Sequence, residues 1–128
     1  MIVLDASVLI AHLDATDTYH ERASAFLLEV ADESLGASPV TLAEVLVGPA
    51  RAGQLDQAVA VLNQLEVITV RLGEDAPVRL AMLRAGTTLK LPDCCVLLAA
   101  EQTHGAVATF DDRLATAAGK RGMVVRDQ

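Results

Sequence analysis

Met1-Ile-Val-Leu-Asp5-Ala-Ser7 compresses a strand and a helix start into one short motif. Ile2 to Leu4 is an aliphatic run too short for a helix and suited to a strand buried on both faces. Asp5 and Ser7 end it with side chains that accept hydrogen bonds from the free N–H groups of a helix's first turn. A buried strand running directly into a helix is the start of a parallel β-α-β unit, and the same alternation continues downstream. Ala23, Phe26, Leu27, Val30 and Ala31 recur at helical spacing, and residues 35 to 38 read as a second short strand. Pro39 and Thr41 open a helix that carries Glu44 and is expected to stop near Gly48-Pro49, because proline removes a helical hydrogen bond.

Leu55, Ala58, Val59, Leu62 and Leu65 mark the next helix, and the β-branched residues 67 to 70 mark a third strand. A helix over about 74–85, a break at 86–92, a helix at 93–104 and a strand at 106–109 follow. A helix at about 112–119 and a strand near 123–125 complete the chain. Apolar strands separated by amphipathic helices predict a three-layer α/β/α fold with a central parallel sheet and crossovers of the usual hand. A length of 128 residues suits one folding unit, so residues 1–128 read as a single domain.

Composition narrows the function. The hydrophobic fraction is 52% while aromatics are only 2%, so aliphatic side chains and alanine must fill the core and disorder is not expected. The longest apolar run, Cys94 to Ala100, is far below the roughly 20 residues that cross a bilayer. Asp5 interrupts the apolar opening and no basic stretch precedes it, so it does not read as a secretory signal, and a cytoplasmic location is the expectation. Adjacent Cys94 and Cys95 lack both a disulfide framework and zinc-site spacing, and read as small core residues. The net charge of −7 opposes non-specific binding to RNA or DNA, so any nucleic-acid role needs a local remedy. Tyr19, Phe26 and Phe110 are too scattered in sequence for a base-stacking platform, and Tyr19 reads as packing.

The acidic residues fall into a pattern when placed on this fold. Loops that follow the strands of an open parallel sheet gather at one edge, where ligands bind. Asp5 follows the first strand and Asp111 lies just beyond the strand ending at Thr109. Glu44 sits in the first turns of the helix leaving the second strand, a small displacement at about 1.5 Å per residue. Asp93 opens the helix before the fourth strand, and a helix crossing back must begin at the edge where the strands end. Asp5, Asp93 and Asp111 taken singly could each be helix caps, and Glu44 an exposed charge on an amphipathic face. Their convergence, however, needs a cation to offset mutual repulsion. With no histidine or cysteine among these ligands, Mg²⁺ or Mn²⁺ is favoured over zinc, and phosphodiester hydrolysis is the implied chemistry. His12, His20 and His104 share no ligand spacing.

These residues resemble the PIN-domain ribonucleases, especially the VapC toxins of bacterial toxin–antitoxin pairs. The likeness covers nearly the whole chain through the opening motif, Thr41-Leu-Ala-Glu44-Val-Leu, Lys90-Leu-Pro-Asp93 before an apolar helix, and Thr109-Phe-Asp111-Asp112-Arg113-Leu. It implies that Asp5, Glu44, Asp93 and Asp111 fill the family's acidic places, with Asp5 and Asp93 the foremost metal ligands, and that Ser7 and Thr109 support the site. Asp112 either contributes through water or caps the last helix; Asp111 keeps the Thr-x-Asp spacing. Leu114 departs from the family's usual aromatic. The resemblance further implies metal-dependent cleavage of RNA to 5′-phosphate and 3′-hydroxyl products, with one metal or two. It implies a VapB-like antitoxin and a homodimer as well. The apolar stripes of residues 40–65 suit either the core or a groove for a partner helix. Arg79, Arg84, Lys90 and Arg113 are candidates for RNA backbone contact. One rival reading is a haloacid-dehalogenase-like phosphohydrolase, which usually has a second aspartate where Ser7 stands. Another is a non-catalytic PIN-like binding module. A response-regulator receiver lacks its central phosphoacceptor and late lysine here.

Overall fold

A computed structural model describes residues 1–126. Strands β1 (Ile2–Leu4), β2 (Leu35–Ala37), β3 (Val67–Thr69), β4 (Ala106–Ala108) and β5 (Val125–Arg126) form one sheet in the order β3-β2-β1-β4-β5. Every neighbouring pair is parallel, with Ile2 opposite both Leu35 and Ala106 and Leu35 opposite Val67. The helices are α1 (Ala6–Leu13), α2 (His20–Glu29), α3 (Pro39–Arg51), α4 (Leu55–Gln64), α5 (Ala76–Gly86), α6 (Leu91–Thr103) and α7 (Asp112–Lys120). No helix among the described residues is long and apolar enough to cross a membrane.

Alternation along the strands separates two cores. Ile2 and Leu4 face one side, packing with Val8, Leu9, Phe26, Leu27, Val45 and Leu62 from α1 to α4. Val3 and Val107 face the other, packing with Leu83 of α5, residues of α6, and Leu114 and Ala118 of α7. The expected three layers therefore form, with α1–α4 on one face and α5–α7 on the other. Leu114, in place of the family's usual aromatic, fills this second core and is fully buried. Helix α6 has no polar stripe over residues 94–100, and all of them are buried, Cys94 and Cys95 as free thiols. The helix ends on His104 in the left-handed conformation at φ 51°. Gly105 follows it so closely against β1 that an added Cβ would lie 2.7 Å from the Met1 carbonyl oxygen.

Several boundaries differ from the sequence expectation. Helix α3 does not stop at Gly48-Pro49 but continues to Arg51. Proline deletes a single donor, and the turn beyond it closes through the Ala52 amide on Gly48 and the Gln54 amide on the Pro49 carbonyl. Helix α6 begins at Leu91, so Asp93 lies inside its first turn and Lys90 is the N-cap. Helix α7 runs to Lys120, and β5 lies at Val125–Arg126 rather than near 123. The β-branched strand β3 is an edge strand with Ile68 and Thr69 exposed, because β2 covers only one of its sides.

Candidate active site

The sheet order fixes where a site can form. From β1 the chain steps outward through β2 to β3, then crosses back over β1 to β4 and β5. The connections that follow the parallel neighbours β1 and β4 therefore run to opposite sides of the sheet, the arrangement that opens a crevice at the strands' carboxyl ends. Asp5 follows β1 and the segment Thr109-Phe110-Asp111 follows β4, so both borders of that crevice carry carboxylates.

Asp5 is held from several sides. It is the N-cap of α1, is 7% exposed, and its Oδ1 accepts the Ala6 amide at 2.8 Å. Its Oδ2 accepts the hydroxyls of Ser7 and of the fully buried Thr109, each at 2.7 Å. Each hydroxyl is itself anchored to the β4 loop, because Ser7 Oγ accepts the Phe110 amide at 3.1 Å and Thr109 Oγ1 accepts the Asp111 amide at 2.9 Å. This network locks the ends of β1 and β4 together around one carboxylate. Asp111 caps α7, its Oδ1 accepting the Arg113 and Leu114 amides, while its side of the crevice stays exposed. Asp112 is the first helical residue beyond that cap and does not itself cap α7.

Glu44 and Asp93 reach the crevice from helices. Burial, then the charges of Asp5 and Asp111, pushes the Asp93 carboxyl above its ordinary value, with partial relief from a backbone hydrogen bond at Lys90. Burial, then Asp5 and Asp93, pushes Glu44 up as well. The four carboxylates thus share one electrostatic neighbourhood, with Asp5 and Asp93 at its centre. Asp5 and Asp111 are also helix N-caps, whereas Asp93, for which a cap was equally expected, lies inside the first turn of α6, so capping and convergence coexist at two of the three aspartates.

The donors suit a hard cation. They are all oxygen, and the nearby Cys94 and Cys95 thiols are pushed up, by burial and then by Asp93 for Cys94 and by Cys94 and Glu44 for Cys95, which keeps them protonated. Among the described residues no three Asp, Glu, His or Cys side chains are gathered closely enough to hold an ion unaided. Mg²⁺ takes one or two carboxylates and keeps waters that a phosphate can replace.

Of the cations expected to meet RNA, Arg79 is instead tied to Glu101 at 2.7 Å and to Gln102 at 3.0 Å, on the face carrying α5 and α6. The charges on neighbouring helices, separated by a full loop in sequence, satisfy each other first. Arg84 and Lys90 are exposed. Arg113 lines an open cleft of about 920 Å³ between the α5–α6 loop and α7, with Lys120, Arg121, Thr87 and Thr88. The aromatics also differ from expectation. Tyr19 and Phe110 stack with ring centroids 4.8 Å apart and planes inclined by 20°, and the Arg22 guanidinium lies 5.0 Å from Phe110 and 5.9 Å from Tyr19. Nothing in the local sequence signals this pairing, which folding alone creates.

No curated protein sequence matches this chain. Among solved structures, a toxin–antitoxin complex from Klebsiella pneumoniae contains a chain 23% identical, with a TM-score of 0.75 over 99% of this chain and 97% of that one. The Mycobacterium tuberculosis VapC20, a toxin that cleaves the sarcin-ricin loop, is 18% identical with a TM-score of 0.74 over 91% and 95%. FitAcB from Neisseria gonorrhoeae is 24% identical with a TM-score of 0.72 over 99% and 97%. The PIN domain model matches residues 2–120, nearly the full length, and the chain belongs to the PIN-domain family.

Proposed function

We propose that this protein, acting as a single domain in the cytoplasm, is the ribonuclease toxin of a toxin–antitoxin pair and hydrolyses phosphodiester bonds of RNA. The observation that carries the reading is the gathering of Asp5, Glu44, Asp93 and Asp111 at the crevice between β1 and β4, with burial and like charge raising the carboxyls of Glu44 and Asp93. A site that costs energy without an ion is built to hold one.

Asp5 and Asp93 would hold a divalent ion, Mg²⁺ or Mn²⁺, with Glu44 and Asp111 completing the shell directly or through water. When bound, the ion would lower the pKa of a water it holds and offset charge on the phosphate in the transition state. Ser7 and Thr109 fix the direction of Asp5 Oδ2, and the Ala6 amide fixes Oδ1, so the central ligand is preorganised. Ser7 is thus a buttress for Asp5, unlike the second aspartate of a haloacid-dehalogenase-like phosphohydrolase. Glu44 is exposed and shares the electrostatic neighbourhood of Asp5 and Asp93, which is why it is assigned to the ion's shell. Asp112, one residue beyond the Asp111 cap, would contribute only through water. Arg113 and Lys120 line the open cleft together with Asp112, and they would supply positive charge for a polyanion on so acidic a chain, whereas Arg121 in the same cleft is paired with Glu101 at 3.6 Å.

One neighbour named above is part of a toxin–antitoxin complex, which supports a VapB-like antitoxin as the expected partner, and a homodimer is proposed beside it on the family resemblance alone. The test is cleavage of end-labelled cellular RNA by the purified protein in Mg²⁺ or Mn²⁺, in EDTA, and by Asp93→Asn. Metal-dependent cutting lost in both controls is the expected result. A folded protein that cuts none of a wide range of RNAs would shift the reading to a non-catalytic PIN-like binding module.

A further inference from the structure

The open cleft between the α5–α6 loop and α7 runs into the carboxylate site along both of its walls. On the loop side Leu89 lines the cleft, Lys90 follows as the N-cap of α6, and Asp93 stands in the first turn of that helix. On the other side Asp112 and Arg113 line it, and the Arg113 amide donates to Asp111 Oδ1 at 2.8 Å. Asp93 lies within range of the Asp111 charge, so the two walls converge on the site. From there the cleft follows one face of α7, because Thr116, Ala117 and Lys120 stand three, four and seven residues beyond Arg113. At a rise of about 1.5 Å per residue, Arg113 and Lys120 are about 10 Å apart along the helix.

The walls suit a phosphodiester backbone better than a base. Among the described residues neither the Arg113 guanidinium nor the Lys120 ammonium has an ion-pair partner, whereas Arg79, Arg121 and Arg126 are each paired with a glutamate. Both free cations are exposed, and so is Thr116 between them. No aromatic ring among the described residues lines the cleft, so it offers nothing on which a base could stack. Asp112 is the acidic residue of the lining, and it stands at the end nearest the carboxylates, where a bound divalent ion would offset it.

We propose that this cleft is a base-blind track for the backbone of single-stranded RNA, in which Arg113 and Lys120 each take one phosphate of the strand as it runs from the carboxylates along α7. The inference rests on the nuclease reading above. Successive phosphates of a stacked strand rise about 3.4 Å, so two cations about 10 Å apart meet phosphates about three steps apart on the same strand. Contacts of this kind fix the position of a strand without reading its sequence. The track also gives the chain, at net charge −7, a local positive path on one side of the site.

The test uses the full chain carrying Asp93→Asn, so that no cleavage intervenes, and a short fluorescently labelled single-stranded RNA titrated in Mg²⁺ at a series of salt concentrations. Adding Arg113→Gln or Lys120→Gln keeps an exposed side chain and removes one charge. Each is expected to lower the slope of log affinity against log salt by about 0.7, the value of one phosphate contact on a single strand, and the pair by about twice that. Arg51→Gln removes the same charge from the end of α3, in the opposite layer, and should leave the slope unchanged. An abasic oligomer of equal length keeps every phosphate and should show the same losses. An unchanged slope in the double variant, or an equal fall with Arg51→Gln, overturns the track. If the unsubstituted chain still cuts RNA in that case, the nuclease reading stands. The expected losses of slope in a chain that cuts nothing leave the track in place and remove the nuclease. Slope losses confined to intact RNA and missing from the abasic oligomer would make the cleft a reader of bases and also overturn the proposal. So would loss of a co-expressed acidic partner protein from the double variant with its RNA binding intact, which would give the cleft to a polypeptide.

Discussion

Thr109→Val preserves the shape of a fully buried side chain and deletes its hydroxyl, which isolates the hydrogen bonds at the centre of the site. The hydroxyl donates to Asp5 Oδ2 at 2.7 Å and accepts the Asp111 amide at 2.9 Å. A hydrogen bond to a carboxylate contributes about 1.5–3 kcal/mol and a neutral one about 0.5–1.5 kcal/mol. Valine also leaves a buried carboxylate short of a donor, so the expected loss is about 2–4 kcal/mol, a fall in Tm on the order of 10 °C for a chain of this size. Thr109→Ser keeps the hydroxyl and removes a methyl group, costing only about 1 kcal/mol. The assay is urea unfolding read at constant m, where a shift of the midpoint is a change in stability. In an Asp5→Asn background the penalty for Thr109→Val should shrink markedly, because a neutral acceptor gains less from the hydroxyl. If Thr109→Val is as stable as Thr109→Ser, or if its penalty is undiminished in the Asp5→Asn background, the hydroxyl does not support the carboxylate and the reasoning fails.

Folding raises the proton affinity of Glu44 and Asp93, so each contributes stability that is fully present below the unfolded carboxylate range near pH 4 and is lost as pH rises through the folded values. The unsubstituted chain should therefore lose stability relative to Asp93→Asn as pH rises from about 4 to 7, as checked by melting curves of both. Mg²⁺ should raise Tm by binding only the native site, by an amount equivalent to about 2.7 kcal/mol at a hundredfold excess over its Kd, and Asp5→Asn should abolish the rise in a calorimetric scan. Gly105→Ala would place a Cβ 2.7 Å from the Met1 carbonyl, and the overpacked junction of α6, β1 and β4 should cost about 1–3 kcal/mol in denaturant unfolding.

The architecture was legible because β1, β2 and β4 are short apolar runs followed at once by helix-start chemistry, and such local signals survive without knowledge of the partners. Residues 2–4, 35–37 and 106–108 announce themselves as buried strands, and the all-parallel sheet follows from the helices between them. Boundaries were less legible where one residue's preference met a helix already under way. Pro49 is tolerated because a single missing donor near the end of α3 costs less than abandoning its last turn. Charge partners were less legible still, as Arg79 shows, since Glu101 and Gln102 reach it only after α5 and α6 pack.

The amino-acid sequence by itself determined that carboxylates would stand at Asp5, Glu44, Asp93 and Asp111 and that each would lie near the ends of parallel strands, because strand direction and helix rise constrain those positions locally. Tertiary structure alone decided the order β3-β2-β1-β4-β5, which sets Asp5 directly beside Thr109 at the crevice and lets one buried hydroxyl bind a carboxylate from the far end of the chain. It alone stacked Tyr19 on Phe110 beside that crevice. Contacts between residues so distant in sequence depend on which strands become neighbours, and that is settled by the packing of the two cores rather than by any local preference.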